Sequence, residues 1–173
     1  MRAILFMNVV ALAAVCSAST PEDASISSYV IWNDTNGKPV HAHGAGLWVD
    51  ASQTPSMYYM VGASIKNSPG NTALSQFITL YNGTDLQHWD FVGNILANTS
   101  MSVPGAKGPW RIERPKIVQC SGTKKFVMYW HLDTASFSIG HVGVAVADTI
   151  EGPWTFSHSF QPDGQRSLDM GLY

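Results

Sequence analysis

Apolar residues along this chain fall in short runs rather than in helical stripes. Runs rich in Val, Ile, Phe, Tyr and Trp recur between clusters of Gly, Pro, Asn and Asp, which is the pattern of strands joined by tight turns. It predicts four strands near Ala45–Asp50, Met57–Ala63, Leu74–Tyr81 and Trp89–Leu96. Four more follow near Arg114–Gln119, Lys125–Leu132, His141–Ala147 and Trp154–Phe160. Ser68-Pro69-Gly70-Asn71, Asn82-Gly83, Ser121-Gly122 and Glu151-Gly152-Pro153 supply the turn chemistry between them.

The run Ala3–Val15 is of a different kind. It follows Met1-Arg2, is broken only by Asn8, and ends at Cys16-Ser17-Ala18, where small residues suit cleavage after Ala18. That is the order of a secretory signal peptide over residues 1–18, and the apolar run is too short to span a bilayer. A secreted, extracellular protein is the expectation. Three glycosylation sequons, at Asn33, Asn82 and Asn98, agree with it. Once Cys16 leaves with the signal, Cys120 stands alone, which excludes an internal disulfide framework and a Cys-based zinc site.

Composition narrows the partners. Only 13% of residues are charged, 45% are hydrophobic and the net charge is −2. A nucleic-acid binder driven by basic charge is excluded, and so is a disordered chain. No further stretch has the length to cross a membrane.

The two groups of four strands correspond. Trp48-Val49-Asp50 answers Val118-Gln119-Cys120 at an offset of 70, and Tyr58-Tyr59-Met60 answers Val127-Met128-Tyr129 at 69. Trp89 answers Trp154 at 65. Strand count alone leaves a β-sandwich as open as a propeller. A four-stranded unit recurring every 65–70 residues favours blades of a β-propeller. The first blade covers about 41–97, the second about 112–161, and a third begins at about 166–173. Two blades cannot close a ring, so the expectation is a fragment or truncated product of a larger propeller.

In a propeller the innermost strands line the central channel, here near Ala42–Gly46, Ile112–Lys116 and Leu168–Gly171. They carry His43, Glu113 with Arg114, and Asp169. Glycoside hydrolysis needs two carboxyl groups across one bond, and Glu113 and Asp169 on adjacent inner strands are the pair to supply them. The bland alternative for Glu113-Arg114 is a structural ion pair at a strand mouth. Gly44-Ala45-Gly46 follows no strand that would make it a phosphate loop. No cofactor is expected, with calcium left open; His41-x-His43 puts two imidazoles on one face of an extended segment, where a metal site is the lesser alternative to a channel-facing His. His43 is a channel-facing residue, Trp130 and Trp110 are the better stacking candidates for sugar, and Trp89 and Trp154 look structural.

Several motifs, in order, resemble one family. They are His41-Ala42-His43-Gly44-Ala45-Gly46, Tyr58-Tyr59 with Gly62, Glu113-Arg114-Pro115-Lys116-Ile117, Val127 through Asp133, Val142-Gly143-Val144-Ala145, Gly152-Pro153-Trp154 and Ser167-Leu168-Asp169-Met170. Over about residues 30–173 the chain resembles glycoside hydrolase family 43, in the branch of galactan 1,3-β-galactosidases. The resemblance implies an all-β fold, a five-bladed propeller, and inverting, exo-acting hydrolysis of β-galactosyl bonds in plant polysaccharide side chains. It implies that Glu113 binds the sugar and aids catalysis and that Asp169 tunes the general acid. It matches His43 to a channel residue of the first blade and implies a polysaccharide or oligosaccharide partner; His43, Arg114 and Trp130 are the expected substrate contacts. The family's general acid lies on a fourth blade and its water-positioning glutamine later still, so these residues alone are expected to be inactive. Gly62-Ala63 stands where the branch often has Gly-Glu, Phe137 where it has Tyr, and Leu168 where it has Arg. The rival reading is a non-catalytic carbohydrate-binding protein built from degenerate blades.

Overall fold

The computed structural model describes residues 30–65 and 74–172. The proposed signal peptide lies outside them. All eight strands form: β1 His43–Asp50, β2 Met57–Ile65, β3 Ser75–Gly83, β4 Asp90–Ala97, β5 Arg111–Gln119, β6 Phe126–Asp133, β7 His141–Ala147 and β8 Thr155–Phe160. They make two four-stranded antiparallel sheets in the orders β1-β2-β3-β4 and β5-β6-β7-β8. An all-β chain of two sequential four-stranded meanders is the construction of a partial propeller. No helix among the described residues is long and apolar enough to cross a membrane.

The repeat is visible in the register as well as in the sequence. Leu47 pairs with Met60 and Ile117 with Met128, while His43 pairs with Ala63 and Glu113 with His131. The first strands therefore correspond at 70, as the sequence indicates, but the second strands correspond at 68 and not at 69. The reason is the two-residue period of a strand: an offset wrong by one equates side chains on opposite faces. Both first strands carry a one-residue bulge, between His43 and Gly46 and between Glu113 and Lys116. At the matching positions Gly44 has φ 63° and Arg114 has φ 51°.

The main core lies between the sheets. Tyr59, Val61 and Ala63 from β2 share one buried cluster with Ile112 and Ile117 from β5 and with Met128, Trp130 and Leu132 from β6. Burying each large apolar side chain of this kind contributes about 1.5–3 kcal/mol relative to exposure. Trp48 reaches across to Phe126, ring centroids 5.2 Å apart at 79°. A second cluster of Met60, Tyr81 and Trp89, flanked by Val40 and Ala42, covers the other face of the first sheet.

Polar atoms stitch the sheets together. Buried Asn98 donates from Nδ2 to the carbonyls of Ser75 (2.8 Å) and Trp110 (2.5 Å) and accepts from Trp110 N at 3.0 Å. In the folded protein its amide is thus committed to the carbonyls of Ser75 and Trp110. The inner strands also approach closely: a Cβ on Gly46 would stand 2.6 Å from the Pro115 carbonyl.

Residues 165–172 form no strand. The strand expected at Leu168–Gly171 is therefore not found, because an extended segment becomes a strand only with a ladder partner, and these residues have none among the described ones. Ser167 N donates to the Gly140 carbonyl at 2.8 Å, which lays the segment beside the β6–β7 turn.

Candidate functional site

The site forms where the β5 bulge, the end of β6 and residues 165–172 meet. Glu113 precedes the bulged Arg114, and an extra residue in one strand bends it and re-aims the neighbouring side chains. A left-handed non-glycine residue costs roughly 1–2 kcal/mol. The position that the first sheet gives to Gly44 is thus occupied here by a side chain that needs that backbone turn.

Arg114 Nε reaches Asp169 Oδ1 at 2.6 Å. The two residues are exposed, and the guanidinium holds the Asp169 carboxyl below the usual carboxylate range; nearby His131 and His43 act in the same direction. The same pairing raises Arg114 above its ordinary value. Glu113 is held from both sides. Arg111 Nη1 lies 3.3 Å from Oε1, and His131 Nδ1 lies 3.5 Å from Oε2. One side-chain oxygen or nitrogen from each of Glu113, His131 and Asp169 lies within 4.8 Å of the other two. The two carboxylates picked from the sequence do share one site.

Behind them stands Asp133, with no exposed surface. Its Oδ1 accepts from Thr134 N at 2.8 Å and Ile139 N at 2.9 Å. Its Oδ2 accepts from Gly140 N at 3.0 Å and lies 3.0 Å from His131 Nε2. Burial pushes the Asp133 carboxyl up, but the hydrogen bonds from Ile139, His131, Thr134 and Gly140 together outweigh it and leave the group below its ordinary value.

Lys116, one turn of the bulge further on, donates to the carbonyls of Gly44 (3.0 Å), Ala45 (3.3 Å) and Pro115 (3.2 Å). It thereby clamps the inner strand of the first sheet to that of the second. Burial, with Arg114 adding to it, lowers its ammonium from the ordinary lysine value.

The remaining expected residues divide. His43 is exposed and lies on the bulge of β1, on the side of Asp169. Trp130 is 0% exposed, packed over Gly143 between the sheets and 6.0 Å from the ring of Phe156. The expectation that it stacks on sugar is corrected: neighbours in a strand point to opposite faces, so Trp130 faces the core while His131 faces the site. Trp110 is buried too, its indole N–H on the Met101 carbonyl at 3.0 Å. Three residues at the site were not singled out from the sequence. Arg111 and the His131–Asp133 pair join it, and Phe137 covers them, its ring 4.2 Å from the Arg111 guanidinium carbon and 5.9 Å from the His131 ring. His131-Leu132-Asp133 carries the one usable signal, since positions i and i+2 of a strand share a face.

No family model matches the sequence, and no curated protein is significantly similar to it. Solved structures are. An exo-β-1,3-galactanase from Phanerochaete chrysosporium, solved with galactose, is 32% identical with TM-score 0.71, over 83% of this chain and 32% of its own. An exo-β-1,3-galactanase candidate from Bifidobacterium bifidum is 31% identical with TM-score 0.70, over 83% and 44%. A family 43 β-1,3-galactosidase, solved with galactodeoxynojirimycin, is 30% identical with TM-score 0.66, over 79% and 38%. The chain thus spans less than half the length of each. Sheet order, the residues at the bulge and these likenesses together put the chain in glycoside hydrolase family 43, beside the exo-β-1,3-galactanases.

Proposed function

We propose that the two sheets are blades of a five-bladed propeller whose complete form hydrolyses β-1,3-galactosyl bonds in polysaccharide side chains, with inversion. Residues 1–18 would direct its secretion, and residues 166–173 would lead into a third blade. The observation that carries this reading is the convergence of Glu113 and Asp169 at one bulge, in a fold about 30% identical to proteins solved with galactose, β-1,3-galactotriose and galactodeoxynojirimycin.

Each residue then has a task. Glu113, fixed by Arg111 and His131, accepts hydrogen bonds from sugar hydroxyls. A positioned acceptor of this kind gains strength as positive charge develops in an oxocarbenium-like transition state. Asp169, kept ionised by Arg114, presents a negative charge that raises the pKa of a neighbouring general acid. Arg114 and His43 line the sugar's approach. On this reading the general acid and the water-positioning group are supplied from outside these 173 residues. The donor set does not suit resident calcium, which takes six to eight oxygen ligands: here an imidazole intrudes and both carboxylates already sit on guanidiniums.

The test is to incubate the purified 173-residue chain with β-1,3-galactotriose. No galactose release is expected, together with weak galactose binding that Glu113→Gln abolishes. Release that survives Glu113→Gln would overturn the assignment of the site. A longer form that binds galactan without turnover would instead establish the carbohydrate-binding alternative.

A further inference from the structure

His131 is 1% exposed, and the proposed chemistry leaves its ring only partly accounted for. Both oxygens of Asp133 are filled by N–H donors, and three of these are backbone amides that cannot do otherwise. An ionised carboxylate has no proton to give, so the His131 Nε2 facing Oδ2 at 3.0 Å must be the donor. The tautomer is thereby assigned.

The other nitrogen is the anomaly. Nδ1 is buried with no hydrogen-bond partner, and Glu113 Oε2 stands 3.5 Å from it. A neutral ring would turn a lone pair towards a carboxylate oxygen, two acceptors with no donor between them. A buried polar atom left unpaired destabilises the folded state. A proton on Nδ1 removes that conflict and makes the contact an ion pair.

The surrounding charges favour it. Glu113, Asp133 and Asp169 are three carboxylates, and Arg111 on β5 and Arg114 at the bulge are two guanidiniums. An imidazolium at position 131 balances the set. Phe137 lies nearly parallel to the ring, centroids 5.9 Å apart at 26°, and offers a cation the face of an aromatic.

We propose that His131 is a positioning residue for Glu113: anchored by Asp133, it carries a proton on both ring nitrogens and holds the Glu113 carboxylate in place from the side opposite Arg111. This rests on reading Glu113 as a pocket residue, but its test needs no sugar and no turnover. The full chain is labelled with ¹⁵N-histidine, and the ring nitrogens of His131 are read by long-range proton–nitrogen NMR at neutral pH. Both nitrogens are expected at protonated shifts in the wild-type chain. In Glu113→Gln, checked for folding by its dispersed amide spectrum, Nδ1 is expected to move to the unprotonated position while Nε2 keeps its proton. An unprotonated Nδ1 in the wild-type chain overturns the proposal, and that spectrum alone is enough. Protonation of Nδ1 that persists in Glu113→Gln overturns the link to Glu113. Failure of galactose binding with the expected spectrum would count only against the glycosidase reading.

Discussion

The two inner strands are the same backbone loaded with different chemistry. In β1 the bulge reads His43-Gly44-Ala45-Gly46, and in β5 it reads Glu113-Arg114-Pro115-Lys116, 70 positions on. Both place their second residue at positive φ. The first sheet fills that place with glycine and sets Ala63 across from His43. The second fills it with Arg114 and sets His131 across from Glu113. A repeated architecture thus fixes where side chains emerge, and one copy carries a charged cluster that the other lacks. The β1 bulge is shaped for packing, since a Cβ on Gly44 would lie 3.0 Å from Arg114 N. The β5 bulge accepts backbone strain in return for the reach of Arg114 to Asp169.

That contrast can be broken first at Asp133. Asp133→Ala removes the acceptor for three amides and His131, and loss of one partner of a buried charged network is expected to cost about 3–5 kcal/mol in chemical denaturation. Because the folded carboxyl lies below its unfolded value, its contribution is present above roughly pH 4 and is lost as pH falls through the folded value. The acid limb of a stability–pH profile should therefore flatten in Asp133→Ala, and an unchanged profile would show that the hydrogen bonds do not stabilise the ionised form.

Trp130 is the next place to test the difference. Gly62 holds the corresponding position of the first sheet, where the backbone at Ala42 occupies the space a side chain would need. In the second sheet the indole fills it. Trp130→Ala should cost about 3–5 kcal/mol in denaturation midpoint analysis, as expected for emptying a core position of this size. A surface role would predict almost no change.

The bulges themselves give smaller effects. Gly44→Ala puts a side chain at positive φ against Arg114 and should destabilise by about 1–2 kcal/mol. Arg114→Gly makes the second bulge resemble the first. It relieves the backbone and removes only an exposed ion pair, so the thermal midpoint should hold or rise. Galactose affinity, measured by calorimetry, should fall. A lower midpoint with unchanged affinity would mean that Arg114 serves the fold and not the site.

Much of this was legible beforehand because it is local. The apolar runs and turn residues located all eight strands to within about three residues of the observed bounds. Glu113 and Asp169 were recognisable as carboxylates in unusual company. Arg111, His131 and Asp133 were not picked out as site residues, because nothing within a strand says which residue of another strand it will face. The misreading of Trp130 has the same origin: its proximity to the site in sequence is real, but the strand's alternation turns it away.

What the chain alone determined is therefore its periodicity: all-β class, two similar units, strand order and the residue types available to a site. Tertiary structure decided the rest. It chose an offset of 68 over 69 in the second strands, committed Asn98 to an interior bond, and gathered Glu113, His131 and Asp169. The physical reason is that side-chain direction along a strand follows from two-residue alternation, whereas register and the approach of distant segments follow from packing that no local pattern encodes.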